Sequence, residues 1–374
     1  MICVHIAGTN GKGSVSEYMA RILMAAGKRT GCFTSPHLVL PTERMRIDGQ
    51  NIGDGVLAAL LDEVAQKNLA VNNTLFAAYT AAALLWFERQ GAEYAVIEAG
   101  IGGRFDSTNM ITPGVAVLTP IDYDHMAILG NTLAQIAYDK SGIIKRGIPV
   151  VSAVQPLEAM AVIERESANM DAPLTVVPPV RIVSALPEGQ SFVLEGRDYA
   201  IRMIGRHQPQ NAAIAIKAAQ ELGIGEAAIE QGLKNALLKC RAQVVPGEPD
   251  ILLDGAHNAA AARALCTVLD DYFADRPKVL LFACMKDKDF TPMVEALAPY
   301  FGEVFVTGVG MEREAEPEVL CTLFRKTTVC HAVADTKAAF EQAKDAATKA
   351  NAMLVVCGSF YLAGMIEPLT GNKY

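Results

Sequence analysis

The sequence predicts an α/β fold in two domains, each a mainly parallel sheet covered by helices. Three observations predict it. Short apolar runs of strand length alternate with segments of helical period from one end to the other. The 374 residues exceed what one typical core accommodates. A glycine-rich loop, Gly8-Thr9-Asn10-Gly11-Lys12-Gly13-Ser14, sits directly behind the first strand pattern, Ile2, Val4, Ile6, and ahead of a helix with Val15, Met19, Ile22, Leu23 and Ala26 on one face. That order of strand, glycine loop, lysine and helix cradles phosphates. Glycines let backbone N–H groups approach an anion, the helix N-terminus favours negative charge, and the lysine adds a point charge. A nucleotide triphosphate is the expected ligand.

The loop departs from the common P-loop. Ile6 stands where that pattern has its first glycine, and Gly13 stands where it has the Ser or Thr that holds Mg2+. A hydroxyl ligand is therefore expected from elsewhere. Thr34-Ser35-Pro36-His37, after the predicted strand 30–33, is the candidate.

Further along, helical patterns cover 56–67 and 74–89, and Tyr94-Ala95-Val96-Ile97 and Val115-Ala116-Val117-Leu118 read as buried strands. A helix follows over 132–141, a strand begins at Pro149-Val150-Val151, and 156–169 is helical with proline early. Residues 174–203 change character. Their prolines, Gly189 and short alternating runs predict a small antiparallel extension of the sheet. Helices over 211–222 and 226–238 close the first domain, and the pattern resets near 235–241. Strands are then predicted at 251–253, 279–282, 304–306 and 354–356, with helices at 259–273, 292–300, 317–325 and 336–350. Ligands of such sheets bind outside the carboxyl ends of the strands.

Half of the residues are hydrophobic and 6% are aromatic, which suits an aliphatic α/β enzyme better than a base-stacking nucleic-acid binder. The net charge of −8 argues against nucleic acid or an anionic membrane as partner. The eight cysteines form no Cys-x-x-Cys pair and fall mostly in apolar runs, as reduced core residues do. No apolar stretch reaches membrane-spanning length and no secretory signal opens the chain, so the expected location is the cytoplasm.

Several polar groups stand at predicted strand ends. Glu98 closes the run 94–97 and leads into Ala99-Gly100-Ile101-Gly102-Gly103-Arg104. A carboxylate there can ligate Mg2+ beside phosphates, or simply cap a turn. Asp122, Asp124 and His125 follow strand 115–118 and fit a second cation or an acyl-transfer site, although a single histidine is commonly structural. Lys140 lies in a helix, where a lysine ordinarily faces solvent. In the second domain Asp254-Gly255-Ala256-His257-Asn258 follows a strand and could face a nucleotide on the first. Met285-Lys286-Asp287-Lys288-Asp289 follows the next strand and reads equally well as a charged turn.

Taken together these segments resemble the folylpolyglutamate synthase and dihydrofolate synthase family, within the Mur ligase superfamily. The resemblance rests on 5–14, Thr34-Ser35-Pro36-His37-Leu38, Glu43-Arg44 with Arg46, and 97–104 running on to Asp106-Ser107-Thr108-Asn109. It continues through Asp124-His125 with Leu129-Gly130, Lys140-Ser141-Gly142-Ile143-Ile144-Lys145, and Gly205 with His207-Gln208 and Asn211. It ends with Leu253 to Asn258, Asp287-Lys288-Asp289 and Gly358-Ser359-Phe360-Tyr361-Leu362. It spans nearly the whole chain in the family's order.

The resemblance implies an N-terminal P-loop-type domain over 1–234, of the ATP-binding Mur ligase central type. A linker at 235–241 and a Rossmann-like glutamate ligase domain over 242–374 follow. It implies an ATP-dependent ligase that adds L-glutamate to a folate, to dihydropteroate, or to both. ATP turns the acceptor carboxylate into an acyl phosphate, which the glutamate amine then attacks. By resemblance, Lys12 and the loop Gly8 to Ser14 hold the phosphates, Ser35 and Glu98 ligate Mg2+, and His125 helps hold a second Mg2+. Lys140 matches a lysine that the family carbamylates. Arg241 and His257 reach the γ-phosphate with Asp254 nearby, Asn211 lies by the adenine, and 36–46 borders the pteroate. Small-molecule substrates and a monomer are expected. A non-catalytic nucleotide-binding relative and a Mur-type ligase for a cell-wall precursor are the alternatives.

Four departures from the family pattern stand out. The chain starts at its first strand, where relatives carry a helical leader. This implies a short gene or a misassigned start, and a less covered substrate cleft. Ala77 replaces a usual Glu, Lys239-Cys240-Arg241 replaces Pro-Gly-Arg, and Gln243 replaces a common Glu. These bear on hinge closure and substrate contacts and leave the phosphate and metal residues intact.

Overall fold

The computed structural model describes residues 1–67, 69, 74–286 and 288–371, so Asp287 of the charged turn lies outside the described residues. The chain divides into two compact units. One comprises Met1–Ser184, Ser191–Arg202 and His207–Leu237, and the other Ala185–Gln190, Met203–Arg206 and the chain from Leu238 onward.

The first unit opens with β1 (Ile2–Ala7), α1 (Lys12–Ala25), β2 (Thr30–Phe33), β3 (Met45–Ile47), β4 (Gln50–Asn51), α2 (Asp54–Gln66), α3 (Leu75–Arg89) and β5 (Tyr94–Glu98). It continues with β6 (Val115–Leu118), α4 (Met126–Leu129), α5 (Leu133–Lys140), β7 (Val150–Ala153), α6 (Leu157–Asn169) and β8 (Leu174–Val177). These strands form one eight-stranded sheet in the order β4-β3-β2-β5-β1-β6-β7-β8. β1 is central and parallel to both neighbours, with Val4 opposite Val96 on one side and Val115 on the other. It is therefore buried on both faces, and Cys3 and His5 are enclosed along with the alternating Val4 and Ile6.

The region 174–203 differs from its expected form. β8 joins the main sheet in parallel beside β7. The segments β9 (Arg181–Leu186), β10 (Gly189–Leu194) and β11 (Arg197–Ile201) make a separate three-stranded sheet. The antiparallel edge of the main sheet is formed by β3 and β4 instead. Strands of two and three residues carry no readable period, which is why the sequence does not announce them.

Helices α7 (Gln208–Glu221) and α8 (Glu226–Asn235) pack against α1, behind the phosphate loop. α3 starts at Thr74, whose hydroxyl accepts the Ala77 N–H at 3.1 Å, a cap worth about 1 kcal/mol. Ala77 is the third residue of that helix, so a Glu there would have completed a capping box.

The second unit carries β12 (Gln243–Val245), β13 (Ile251–Leu253), α9 (Ala259–Phe273), β14 (Lys278–Phe282), α10 (Thr291–Leu297) and β15 (Glu303–Val306). After them come α11 (Pro317–Phe324), β16 (Val329–Ala332), α12 (Thr336–Lys349), β17 (Met353–Cys357) and α13 (Phe360–Ile366). Its six-stranded sheet runs β12-β13-β17-β14-β15-β16, parallel except for β12. α9 shows the construction. Asn258 caps it through the Ala261 N–H, and Ala262, Leu265, Cys266, Leu269 and Phe273 recur at helical spacing on its buried face. They meet Leu252, Leu280, Phe282, Val304 and Val355 from the sheet, each large side chain contributing about 1.5–3 kcal/mol on burial. All eight cysteines are buried and unbridged. Among the described residues no helix is long and apolar enough to cross a membrane.

Candidate active site

The phosphate loop is shaped by what stands beside it. Gly8 has φ 143°, and a Cβ there would lie 2.0 Å from the Thr119 hydroxyl, so only glycine fits. Gly11, at φ 88°, precedes α1, and a Cβ there would strike the Asn211 amide oxygen at 2.5 Å. Asn211 is thus held against the loop. Its Nδ2 donates to Gln208, and Gln208 in turn donates to the Ser14 hydroxyl at 3.2 Å. Ser14 is buried and its hydroxyl is engaged by Gln208.

Two loop amides are not available to an anion. Thr9 N and Asn10 N both donate to the Pro120 carbonyl, at 3.0 and 3.1 Å, and the Thr9 hydroxyl bonds the Asp122 backbone. This narrows the expected backbone contacts to the start of α1, Lys12 to Ser14, where a helix leaves its first N–H groups unpaired. Lys12 Nζ donates to the carbonyls of Gly8 and Thr9.

Lys140 is not the solvated helix residue that its position suggests. It is 3% exposed, and its Nζ donates to the same Gly8 carbonyl at 2.8 Å. Burial, and next the Lys12 charge, lower its pKa to about 8. Two cationic side chains thus converge on one carbonyl oxygen.

Glu98 ends β5 and is 3% exposed, and one of its carboxylate oxygens accepts the Ser35 N–H at 3.2 Å. The two expected metal ligands are therefore neighbours. His125 sits in the left-handed region at φ 48°, at the start of α4, with its N–H on Asp124 and its ring 3.5 Å from the same carboxylate. A cleft of about 670 Å3 joins Lys12, Ser35, Arg44, Phe76, Asp106 and His125. Oxygen donors, a buried carboxylate and a hydroxyl residue at its edge are what a hard divalent cation takes, so these residues fit one. Among the described residues no three His, Cys, Asp or Glu side chains cluster as a cation cage. Substrate oxygens and water would have to complete any coordination shell.

The glycine loop after Glu98 is held from two sides. Asp106 accepts the N–H groups of Gly100 and Ile101 and the Thr108 hydroxyl, and Thr108 bonds the enclosed His5 ring at 2.8 Å. Burial drives the His5 pKa down to about 3. Asp139, next to Lys140, accepts Gly103 N at 2.8 Å and gives its carbonyl to Arg104 N at 2.7 Å. Pro36 and Arg44 border the cleft, and Arg46 does not. Its guanidinium is buried against Glu17 at 2.9 Å, and Arg21 takes the other Glu17 oxygen. A buried carboxylate needs such partners, and Glu17 lies on the inner face of α1.

In the second unit Phe360 organises the candidate residues. Arg241 lies over its ring at 4.5 Å, and the His257 ring stands 5.0 Å away with Nδ1 on the Gly255 carbonyl. Asp254 accepts the N–H groups of Ala242 and Ala256, which ties the turn before β12 to the end of β13. Burial raises the Asp254 pKa and lowers that of His257. Cys240 has φ 54° and Ala242 φ 46°, so the position where the family pattern has glycine adopts a conformation that favours glycine. Lys239 pairs with Glu367 at 2.9 Å.

Gln155 and Asp139 lie in no phosphate or metal pattern, and Gln208 is legible only as part of the family segment His207-Gln208. The segment 358–362 by itself does not show that Phe360 packs against Arg241 and His257. For Gln155 the signal is a buried polar side chain beside a strand end, and it needs the fold to be seen.

Family models match over most of the chain. Residues 6–219 match the Mur ligase middle domain, and 240–360 match the Mur ligase glutamate ligase domain. The dihydrofolate synthase/folylpolyglutamate synthase of Bacillus subtilis is 37% identical over 314 residues, covering 78% of this chain and 73% of that one. The chain belongs to the folylpolyglutamate synthase/dihydrofolate synthase family of Mur ligases. It is an ATP-dependent, amide-forming ligase of that type. Among solved structures, folylpolyglutamate synthase from Mycobacterium tuberculosis complexed with ADP and AMPPCP matches with TM-score 0.85 and 30% identity, over 100% of this chain and 91% of that one. The bifunctional folylpolyglutamate synthase/dihydrofolate synthase of Yersinia pestis, complexed with AMPPNP and a Mn ion, matches with TM-score 0.83 and 28% identity, over 99% and 89%.

Proposed function

We propose that this ligase binds ATP on the loop Gly8 to Ser14 and adds L-glutamate to the carboxylate of a folate, of dihydropteroate, or of both. The observation that carries this reading is the convergence of Lys12, Ser35 and His125 on one cleft, with Glu98 bonded to Ser35. The acceptor carboxylate attacks the γ-phosphorus and ADP leaves, giving an acyl phosphate. The glutamate amine adds to the acyl carbon, loses a proton, and the tetrahedral intermediate expels phosphate. Such chemistry depends on positioning and on neutralising phosphate charge. Lys12 supplies charge at the phosphates and the α1 N-terminus supplies N–H donors. Asn211, pressed against Gly11, borders the adenine. Arg241 and His257, set by Phe360 and with Asp254 nearby, serve the γ-phosphate. The domain roles follow, with nucleotide on 1–234, glutamate ligation on 242–374 and a linker at 235–241.

A divalent cation, Mg2+ at two sites, neutralises the phosphate oxygens when bound. Ser35 and Glu98 would hold the first ion, and His125 would help hold the second. Lys140 carries a carbamate in this reading, formed from its neutral amine and CO2 with release of one proton. Its enclosure beside Lys12 supports this, because an anion there turns a repulsion into an attraction. The remaining N–H can keep its bond to Gly8. The protein acts as a cytoplasmic monomer on small-molecule substrates.

The test is purified protein with ATP, Mg2+, glutamate and a panel of pteroates and folates, read by product mass. The expected product is heavier by one glutamate residue and forms only with ATP. No such product from any folate or pteroate would overturn the reading.

A further inference from the structure

We propose that Gln155 is a positioning residue for the nucleotide, clamping the Pro120 peptide on which the phosphate loop hangs. Gln155 follows β7, is 7% exposed, and touches none of the groups assigned above to substrate. Its Oε1 accepts the Ile121 N–H at 2.8 Å, and its Nε2 donates to the Thr119 carbonyl at 3.1 Å and to the Ser152 hydroxyl at 3.3 Å. It thus grips the residues on both sides of Pro120. Thr119 is also tied to β1, through its N–H on the Ala7 carbonyl at 2.9 Å.

The Pro120 carbonyl, so oriented, accepts both Thr9 N and Asn10 N. Both of its lone pairs are then used by the phosphate loop. Asp122, two residues on, exchanges hydrogen bonds with the Thr9 hydroxyl through its backbone N–H and carbonyl. The loop therefore takes its place from the segment 119–122, and that segment takes its place from Gln155. Proline has no N–H with which to anchor itself, so its carbonyl direction depends on its neighbours. The task requires an acceptor and a donor on one side chain at the distance of a glutamine, which a primary amide supplies and a carboxylate or thioether does not.

This inference rests on the nucleotide reading above, and the experiment separates the two. In full-length protein, hydrogen exchange at the Thr9 and Asn10 amides, ADP affinity and the melting temperature are measured for wild type and Gln155→Met, together with KM for ATP and for glutamate. Both amides are expected to exchange about tenfold faster in Gln155→Met, as loss of supporting hydrogen bonds implies. ADP affinity should weaken and KM for ATP rise by about the same factor, while KM for glutamate stays put. Unchanged exchange at the two amides would overturn the clamp, as would unchanged ADP affinity or an equal rise of both KM values. If Gln155→Met does not fold, Gln155→Glu decides by the same readouts, because it keeps the acceptor for Ile121 and loses the donors. Wild-type protein that fails to bind ADP would defeat the nucleotide reading, while the exchange measurement would still judge the clamp.

Discussion

The two units place their candidate residues by different means. In the first, Glu98 and Lys140 are 3% exposed and the loop at Gly8 admits no side chain, so backbone packing leaves the site little choice of shape. In the second, Arg241 and His257 depend on one ring, Phe360, beside a turn that holds Cys240 and Ala242 at positive φ. The first arrangement is suited to holding a triphosphate before chemistry begins. The second is suited to residues that act through side chains and can be disturbed one at a time. Loss of Lys12 or Lys140 from the first unit's site should therefore abolish turnover, and damage to the second should be graded.

The largest effect is expected from Lys12→Ala. Loss of the loop charge should lower kcat/KM at least about 10^3-fold, as for removal of a main electrostatic donor, with the melting temperature little changed. Near-normal ligation by the folded variant would end the phosphate-loop assignment.

Lys140 gives the next test and also the sign of a pH effect. Its pKa is about 8 in the folded chain and higher when unfolded, so between those values the unfolded chain holds more protons. Stability therefore rises with pH across that window, and the cost of enclosing Lys140 is fully present below pH 8. In CO2-free buffer at pH 7, Lys140→Met should melt higher than wild type, by the equivalent of about 1–3 kcal/mol, while ligating almost nothing. The gain should fade as pH rises from 8 to 10.5. In wild type, activity should rise with bicarbonate and weaken in acid, where the amine is charged. Small carboxylates should partly restore Lys140→Ala. Near-normal activity of Lys140→Ala without added acid would reject the carbamate.

Glu98→Ala should shift the Mg2+ requirement upward by about tenfold or more, since one carboxylate ligand is lost from a site with few protein donors. A Mg2+ titration that does not move would remove Glu98 from the metal site. The smallest effect is expected from Phe360→Leu. Ligation should fall by about tenfold through misplaced Arg241 and His257, with ADP affinity unaltered, because the cation–π and ring contacts are each worth about 1 kcal/mol. A collapse of ADP binding in that variant would erase the contrast between the units.

Much of this was legible because it is local. Strand and helix periods, caps such as Asn258, and a glycine loop between strand and helix depend on neighbours a few residues away. They are enough to place Glu98 at a strand end and His125 and His257 in the segments that follow strands. The strands β3 and β4, of three and two residues, are not legible, since too few side chains alternate to show a period.

By itself the sequence determined the α/β class, the phosphate loop and its missing hydroxyl, and the family to which its motifs point. These follow from periodicity and from glycines whose backbone freedom is written in the residue type. Only the tertiary structure decided that Lys140 is buried against Gly8, that Arg46 turns to Glu17, and that Gln155 grips the strand end opposite the loop. Each of those depends on which residues a sheet brings together across many positions of chain. Burial and hydrogen-bond partners at that range are properties of packing, and no window of the sequence contains them.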